Sequence, residues 1–290
     1  MLMMATDTPY DPLREPLRDS TPFPIEAMRT LVEAEKDRRI EAEEPDMFDC
    51  EVIDADNPEE VQQFHETILS KMPNPGDDPL RFQGIVKNGA HYTAFDFELS
   101  GDNQSRYFMV DAAGAWNNQQ FLKGLKNTGI DFKVDIAVAN EKDGAINGIQ
   151  TDIRSCAAMA LDHACQLSWM TGTNDIYQTI DEKHDKNGCI SWTDLPPELV
   201  WNAQSYTWLD NYVNKNPEKC NEPLPAIGQT MKEVLEENSG TIQIDKLMGS
   251  WTYKEDKKIN QRAENSFKQF QDQAVYYLEH RVAQSQRPNF

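Results

Sequence analysis

The sequence predicts an α+β chain, with a small mixed β-sheet packed by helices and followed by a helical C-terminal region. Three observations carry this. Short runs rich in β-branched and aromatic residues cluster in the first half, each bounded by Gly, Asn, Asp or Pro. Segments with apolar residues at three- and four-residue steps lie between them. From Ile153 onward that helical spacing dominates, broken at Pro196-Pro197 and again between Pro217 and Pro225.

Taken in order, residues 1–24 are polar and proline-rich and read as a disordered tail. They lack the basic end and apolar stretch of a Sec-type signal peptide. Residues 25–44 form a strongly charged amphipathic helix. FDCEVIDA, 48–55, is a strand, and NPEEVQQFHETILSKM is a helix with Asn57 as N-cap and Pro58 at its first position. PNPGDDP, 73–79, breaks the chain. RFQGIVKNGAHYTAFDFEL gives two strands separated at Asn88-Gly89, and SRYFMVDA gives a third after the turn SGDNQ. NNQQFLKGLKNTG is a helix ending at Gly129, DFKVDIAVA a strand, and 140–148 a glycine-bearing loop. Helices are then expected over 153–170, 173–184, 194–214, 226–237 and 254–284, with no internal repeat.

Composition narrows the function classes. The net charge of -21 argues against nucleic acid and anionic membranes as partners, because both demand clustered Lys and Arg. No run of 18 apolar residues exists, so no membrane span is expected. Five scattered cysteines, with no metal-ligand spacing, fit free thiols in a reducing compartment.

The segment GIQTDIRSCAAMALDHA, 148–164, carries the chemistry. Cys156 follows a loop and opens a helix, where the positive end of the helix dipole favours thiolate. On residue type alone a free cysteine is more often core, and only this position changes that reading. Cys165 and Cys189 lack the context and are read as structural. His91 starts a strand after Gly89-Ala90 and is the candidate base. His163 lies seven residues along the Cys156 helix, roughly 10 Å away, too far to serve. Asp111 ends the strand paired with that of His91 and is the candidate to orient the imidazole, though a turn-capping role fits its local setting equally. Gln150, in the loop, is the candidate oxyanion donor together with the Cys156 N–H. Asp152 is placed to cap the helix.

These residues resemble the YopJ family of bacterial effector acetyltransferases, whose core is like that of ubiquitin-like-protein proteases. The resemblance rests on His91 with its aromatic strand, the acidic Asp111 twenty positions on, and Ile149-Gln150 six residues before Cys156. LPPELVWNAQSYTWLDNYVNKNP, 195–217, is similar to a later family segment, and the likeness spans roughly 45–275. It implies that Cys156 takes acetyl from acetyl-CoA and passes it to Ser, Thr or Lys of a host protein, with His91 and Asp111 activating it. It implies type III secretion, a secretion chaperone as a further partner, and inositol hexakisphosphate as activator. Arg106, Arg154, Lys254, Lys257, Lys258 and Arg262 are the cations available for such ligands. The chain departs from the family at Ser155 and Ala157, beside the cysteine, and at Trp201-Asn202-Ala203, where basic residues are usual. Two alternatives stay open: a ubiquitin-like-protein cysteine protease using the same residues, and a host-protein-binding effector without turnover. The implied division is a secretion tail at 1–24, a helix at 25–44, a catalytic core at 45–170 and a helical regulatory or substrate region at 171–290.

Overall fold

A computed structural model describes residues 13, 17, 22–44, 48–102, 104–114, 118–138, 148–152, 154–172, 175–224, 227–248 and 251–285. The elements run α1 (Ile25–Glu41), β1 (Cys50–Asp54), α2 (Pro58–Lys71), β2 (Leu80–Asn88), β3 (His91–Leu99), β4 (Arg106–Val110), α3 (Gln119–Lys126), β5 (Lys133–Val138) and α4 (Cys156–Trp169). They continue with α5 (Ile176–Lys183), β6 (Cys189–Ser191), α6 (Pro197–Val200), α7 (Tyr206–Lys215), α8 (Pro217–Asn221), α9 (Met231–Glu237), β7 (Ser239–Met248), β8 (Trp251–Asn260) and α10 (Arg262–Ser285).

Strands β1 to β6 form one mixed sheet in chain order. The β2–β3 and β3–β4 pairs are antiparallel, whereas β1–β2, β4–β5 and β5–β6 are parallel. The alternation of side chains along each strand divides the core into two layers. Phe82, Val86, Phe95, Phe97, Tyr107 and Met109 face α2 and α3, where Phe64, Ile68, Phe121 and Leu125 close over them. Ile85, Tyr92, Ala94, Phe108 and Val110 face the other way, onto α4. That helix is buried from Cys156 to Ser168. Its alanines at 157, 158, 160 and 164 let it sit close to the sheet.

Helix α1 packs beside α10 and is tied to α4 by a buried guanidinium. Arg39 Nε donates to Glu35 at 2.7 Å and Nη1 to Ser168 Oγ at 2.8 Å, and Gln273 of α10 donates to the same Glu35 at 2.8 Å. The 25–44 helix is therefore part of the body of the protein. Most of the 1–24 segment lies outside the described residues. Within it Leu13 and Phe23 are buried, and Phe23 sits edge-on to Phe267 of α10.

Two expectations for the C-terminal half are corrected. The stretch after 170 is not helical throughout, because β6 adds to the sheet beside β5. The helix expected over 254–284 begins only at Arg262; the preceding residues form β8, paired antiparallel with β7. Alternating charge in YKEDKKIN mimics a solvated helix face. The register instead sets Lys254 opposite Asp245 across a ribbon, an opposite-charge cross-strand pair. The span 194–214 likewise divides into a short 3-10 turn at Trp192–Asp194, α6 and α7.

Candidate active site

The hairpin joining β2 and β3 has a two-residue turn, since Asn88 pairs with His91. Gly89 adopts φ +60, the conformation that a tight primed turn requires at its first central residue. The Gly89 N–H is held by Asp56 at 2.7 Å. The turn brings His91 and the Ala90 carbonyl to the end of the sheet. Asp111, the residue after β4, meets His91 there, with Nε2 2.8 Å from Oδ1.

Asp111 is fully buried and every group around it is a donor. The backbone N–H groups of Ala113 and Gly114 reach Oδ1 at 3.0 and 3.1 Å. Thr93 Oγ1 and Asn118 Nδ2 reach Oδ2 at 3.1 and 3.2 Å, and Asn118 also donates to Thr93 Oγ1 at 2.7 Å. A carboxylate that only accepts is the side chain this shell suits. His91 and Thr93 stand on the α2/α3 face of β3, and Asn118 immediately precedes α3.

Cys156 arrives from the opposite layer, as the first residue of α4 and 5% exposed. Its Sγ donates to the Ala90 carbonyl at 3.7 Å, which sets the thiol against the turn that carries His91. The loop before it is pinned to the Asp111 turn by Gln150 N–H donating to Ala112 O at 2.9 Å. Gly148, at φ +137, is required there: a Cβ would stand 2.1 Å from the Ala112 carbonyl oxygen.

Burial pulls the His91 pKa down, but the hydrogen bonds to Asp111 and Cys156, and their charges, override it and raise it from 6.5 to about 10. The raised pKa makes His91 a strong proton acceptor at the N-terminal end of the helix that carries Cys156. By contrast, burial pushes the Cys50 and Cys165 thiols up, and the buried His163 imidazole down.

Of the four residues singled out from sequence, His91 and Asp111 are hydrogen-bonded, and Cys156 reaches the carbonyl of Ala90, the residue before His91. The Gln150 Nε2 donates to the Asp152 carbonyl at 2.8 Å. Asp152 does cap the approach to α4, accepting from the Ser155 N–H at 2.9 Å and the Arg154 N–H at 3.2 Å.

The six candidate cations do not converge. Arg106 is corrected to a structural role: it lies at the far end of β4 from Asp111, and Asp135 and Asp181 neutralise it at 2.8 and 2.9 Å. Arg154 lines a cleft of about 500 Å³ with Leu17, Glu264, Phe267, Lys268 and Asp272, and pairs with Glu264 at 2.6 Å. Lys254 and Lys258 share one face of β8 and Lys257 takes the other. Arg262 lies flat on Trp201 at 3.9 Å, and Lys258 over Tyr206 at 3.8 Å. Thr93 and Asn118 escaped sequence reasoning, since a strand threonine and a helix-preceding asparagine carry no distinguishing signal. Gln204 was visible only as part of a resemblance.

No curated protein sequence matches. The solved structure of an AvrA deletion variant with IP6 and CoA shares the fold at TM-score 0.58 and 16% identity, covering 87% of each chain. HopZ1a in complex with IP6 and CoA gives TM-score 0.60 and 12% identity, over 88% of this chain and 85% of that one. The family model described as YopJ serine/threonine acetyltransferase matches residues 6–273. A match of that extent is not confined to the histidine strand or the cysteine helix, and the chain belongs to the YopJ serine/threonine acetyltransferase family.

Proposed function

We propose that Cys156 is the acyl-carrying nucleophile of a protein acetyltransferase, with His91 as its acid and base and Asp111 as the orienting carboxylate. The observation that carries the reading is the His91–Asp111 hydrogen bond at the same sheet end as Cys156, whose Sγ reaches the carbonyl of the residue preceding His91. The Cys156 sulfur attacks the acetyl carbonyl of acetyl-CoA, and the collapse of the tetrahedral adduct breaks the carbon–sulfur bond to CoA. His91 gives its proton to the departing CoA thiolate. It then takes one from a Ser or Thr hydroxyl, or a Lys amine, of the acceptor as that group attacks the thioester. The N–H of Cys156 and a rotated Gln150 amide are suited to the oxyanion.

The cleft beside Arg154 suits the donor. The Arg154 Nε is buried without a hydrogen-bond partner, and the cleft lies two residues from the nucleophile. A phosphate drawn to Arg154 and Lys268 would displace Glu264. For an inositol phosphate activator the fitting cations are Arg262, Lys258 and Lys254. Arg262 is part-buried over Trp201, desolvation lowers its pKa, and its Nε lacks a hydrogen-bond partner. A partly desolvated cation of this kind gains from an anion that joins it. The acceptor is a host protein, reached after type III secretion, consistent with the family.

Intact-protein mass spectrometry with acetyl-CoA tests the reading. Increments of about 42 Da per acetyl that vanish in Cys156→Ala are expected. Equal acetylation of Cys156→Ala would overturn it. Dependence of the increments on inositol hexakisphosphate, and its loss in Arg262→Gln, tests the activator.

A further inference from the structure

Among the described residues of the turn that presents Cys156, 148–152, 154 and 155, none is in a helix or strand, and yet Ile149, Gln150 and Ser155 are buried. Its backbone groups must find partners away from water. Gln204, from elsewhere in the chain, provides several of them. Gln204 Oε1 accepts from the Thr151 N–H at 2.6 Å, the Thr151 hydroxyl at 3.1 Å and the Asp152 N–H at 3.0 Å. Its Nε2 donates to Asp152 Oδ2 at 2.7 Å and Ser155 Oγ at 3.0 Å. Its own N–H donates to the Ile149 carbonyl at 3.1 Å. One residue thus grips the turn from 149 to 155, up to the residue preceding the nucleophile.

Gln204 is itself held. Asn260, at the end of β8 and 1% exposed, donates from Nδ2 to the carbonyls of Trp201 at 2.7 Å and Ala203 at 2.8 Å. The Asn260 N–H donates to the Gln204 carbonyl at 3.1 Å. Ser205 bridges Ile259 as well. The C-terminal ribbon is therefore joined to the nucleophile turn through a single glutamine.

We propose that Gln204 is the positioning residue for the nucleophile, fixing the turn and with it the distance from Cys156 Sγ to His91, and that Asn260 holds Gln204 in place. The proposal rests on the reading of Cys156 as the acylated residue. The chemistry of the site demands an amide: one end must accept two N–H groups while the other donates to a carboxylate. Alanine leaves the Thr151 and Asp152 N–H groups without their acceptor. Glutamate keeps the acceptor but sets a second carboxyl 2.7 Å from that of Asp152. Two carboxyls so close share one proton, which is lost as pH rises. The cations facing the position are Arg154, 3.6 Å from Asp152, and Arg262, on Trp201, and guanidinium groups keep their charge throughout.

The test uses the full chain, with acetyl-CoA for single-turnover acylation and iodoacetamide for peptide-mapped alkylation of Cys156. Gln204→Ala is expected to slow both by roughly ten- to a hundredfold, with the KM for acetyl-CoA within about threefold of the parent. Asn260→Ala should act in the same direction but less. The ratio of Gln204→Glu to parent activity should fall with rising pH, while that of Gln204→Ala stays flat. Parent-like rates in Gln204→Ala would overturn the proposal, as would a Gln204→Glu ratio that does not move with pH. If the parent takes no acetyl, the donor reading fails, and alkylation still decides the positioning. Should Gln204→Ala unfold by circular dichroism, the pH ratio of Gln204→Glu decides.

Discussion

Replacing Asp111 by Asn tests the polar centre most directly. The exchange keeps the shape, and Oδ1 can still accept from His91, so the imidazole keeps its orientation. The negative charge is what disappears. The gap between 6.5 and about 10 in the His91 pKa is worth about 5 kcal/mol in favour of imidazolium. Asp111 raises it most, first through its hydrogen bond and again through its charge. Losing that charge beside the imidazolium should slow acylation on the order of a hundredfold. The linkage has a definite sign. A raised folded-state pKa stabilises the protein fully below 6.5, and the contribution is lost as pH rises through about 10. The stability gap between parent and variant should therefore be widest at the acid end of that window and close toward its alkaline end. Single-turnover acylation, thermal melts at both ends and NMR titration of His91 read the three quantities. An unmoved His91 titration, or acylation within about threefold of the parent, would refute the argument.

Other expectations follow from the same geometry. Asn118→Leu removes donors from both Asp111 and Thr93, and should lower acylation about tenfold, read by the same assay. Gly148→Ala forces a Cβ onto the Ala112 carbonyl at unfavourable φ, and should cost at least about 3 kcal/mol in urea unfolding. Arg39→Ala leaves Glu35 buried with its remaining partners Arg38 and Gln273, and should cost about 3 kcal/mol in the same measurement, with α1 gaining hydrogen exchange ahead of the sheet.

Much of the sheet was legible because its strands carry strict alternation and unmistakable turns. Asn88-Gly89 could be read as a hairpin from two letters, and Asn57-Pro58 as a helix start. His91, Asp111 and Cys156 were legible because each sits at the end of a readable element. What failed did so for physical reasons. Charge alternation in β8 is compatible with a helix face, and only pairing with β7, between Met248↔Trp251 and Ser239↔Asn260, decides between them. Arg106 looks like any basic residue until the fold sets Asp135 and Asp181 on it, contacts formed across 29 and 75 residues. Gln204 was equally opaque, since a glutamine in an irregular segment reveals nothing about the turn it will grip.

The two-layer origin of the site has a consequence for how activity is acquired during folding. His91, Thr93, Asp111 and Asn118 lie within one short stretch of chain, joined by hairpins that close fast. The nucleophile turn, in contrast, waits for Gln204 and then for Asn260, each of which must close a long loop before it is held. An imidazole–carboxylate pair thus forms early in refolding, while a competent thiol is a late event. A chain emerging from a ribosome can complete the turn before Cys156 only when the residues up to Asn260 are free to fold.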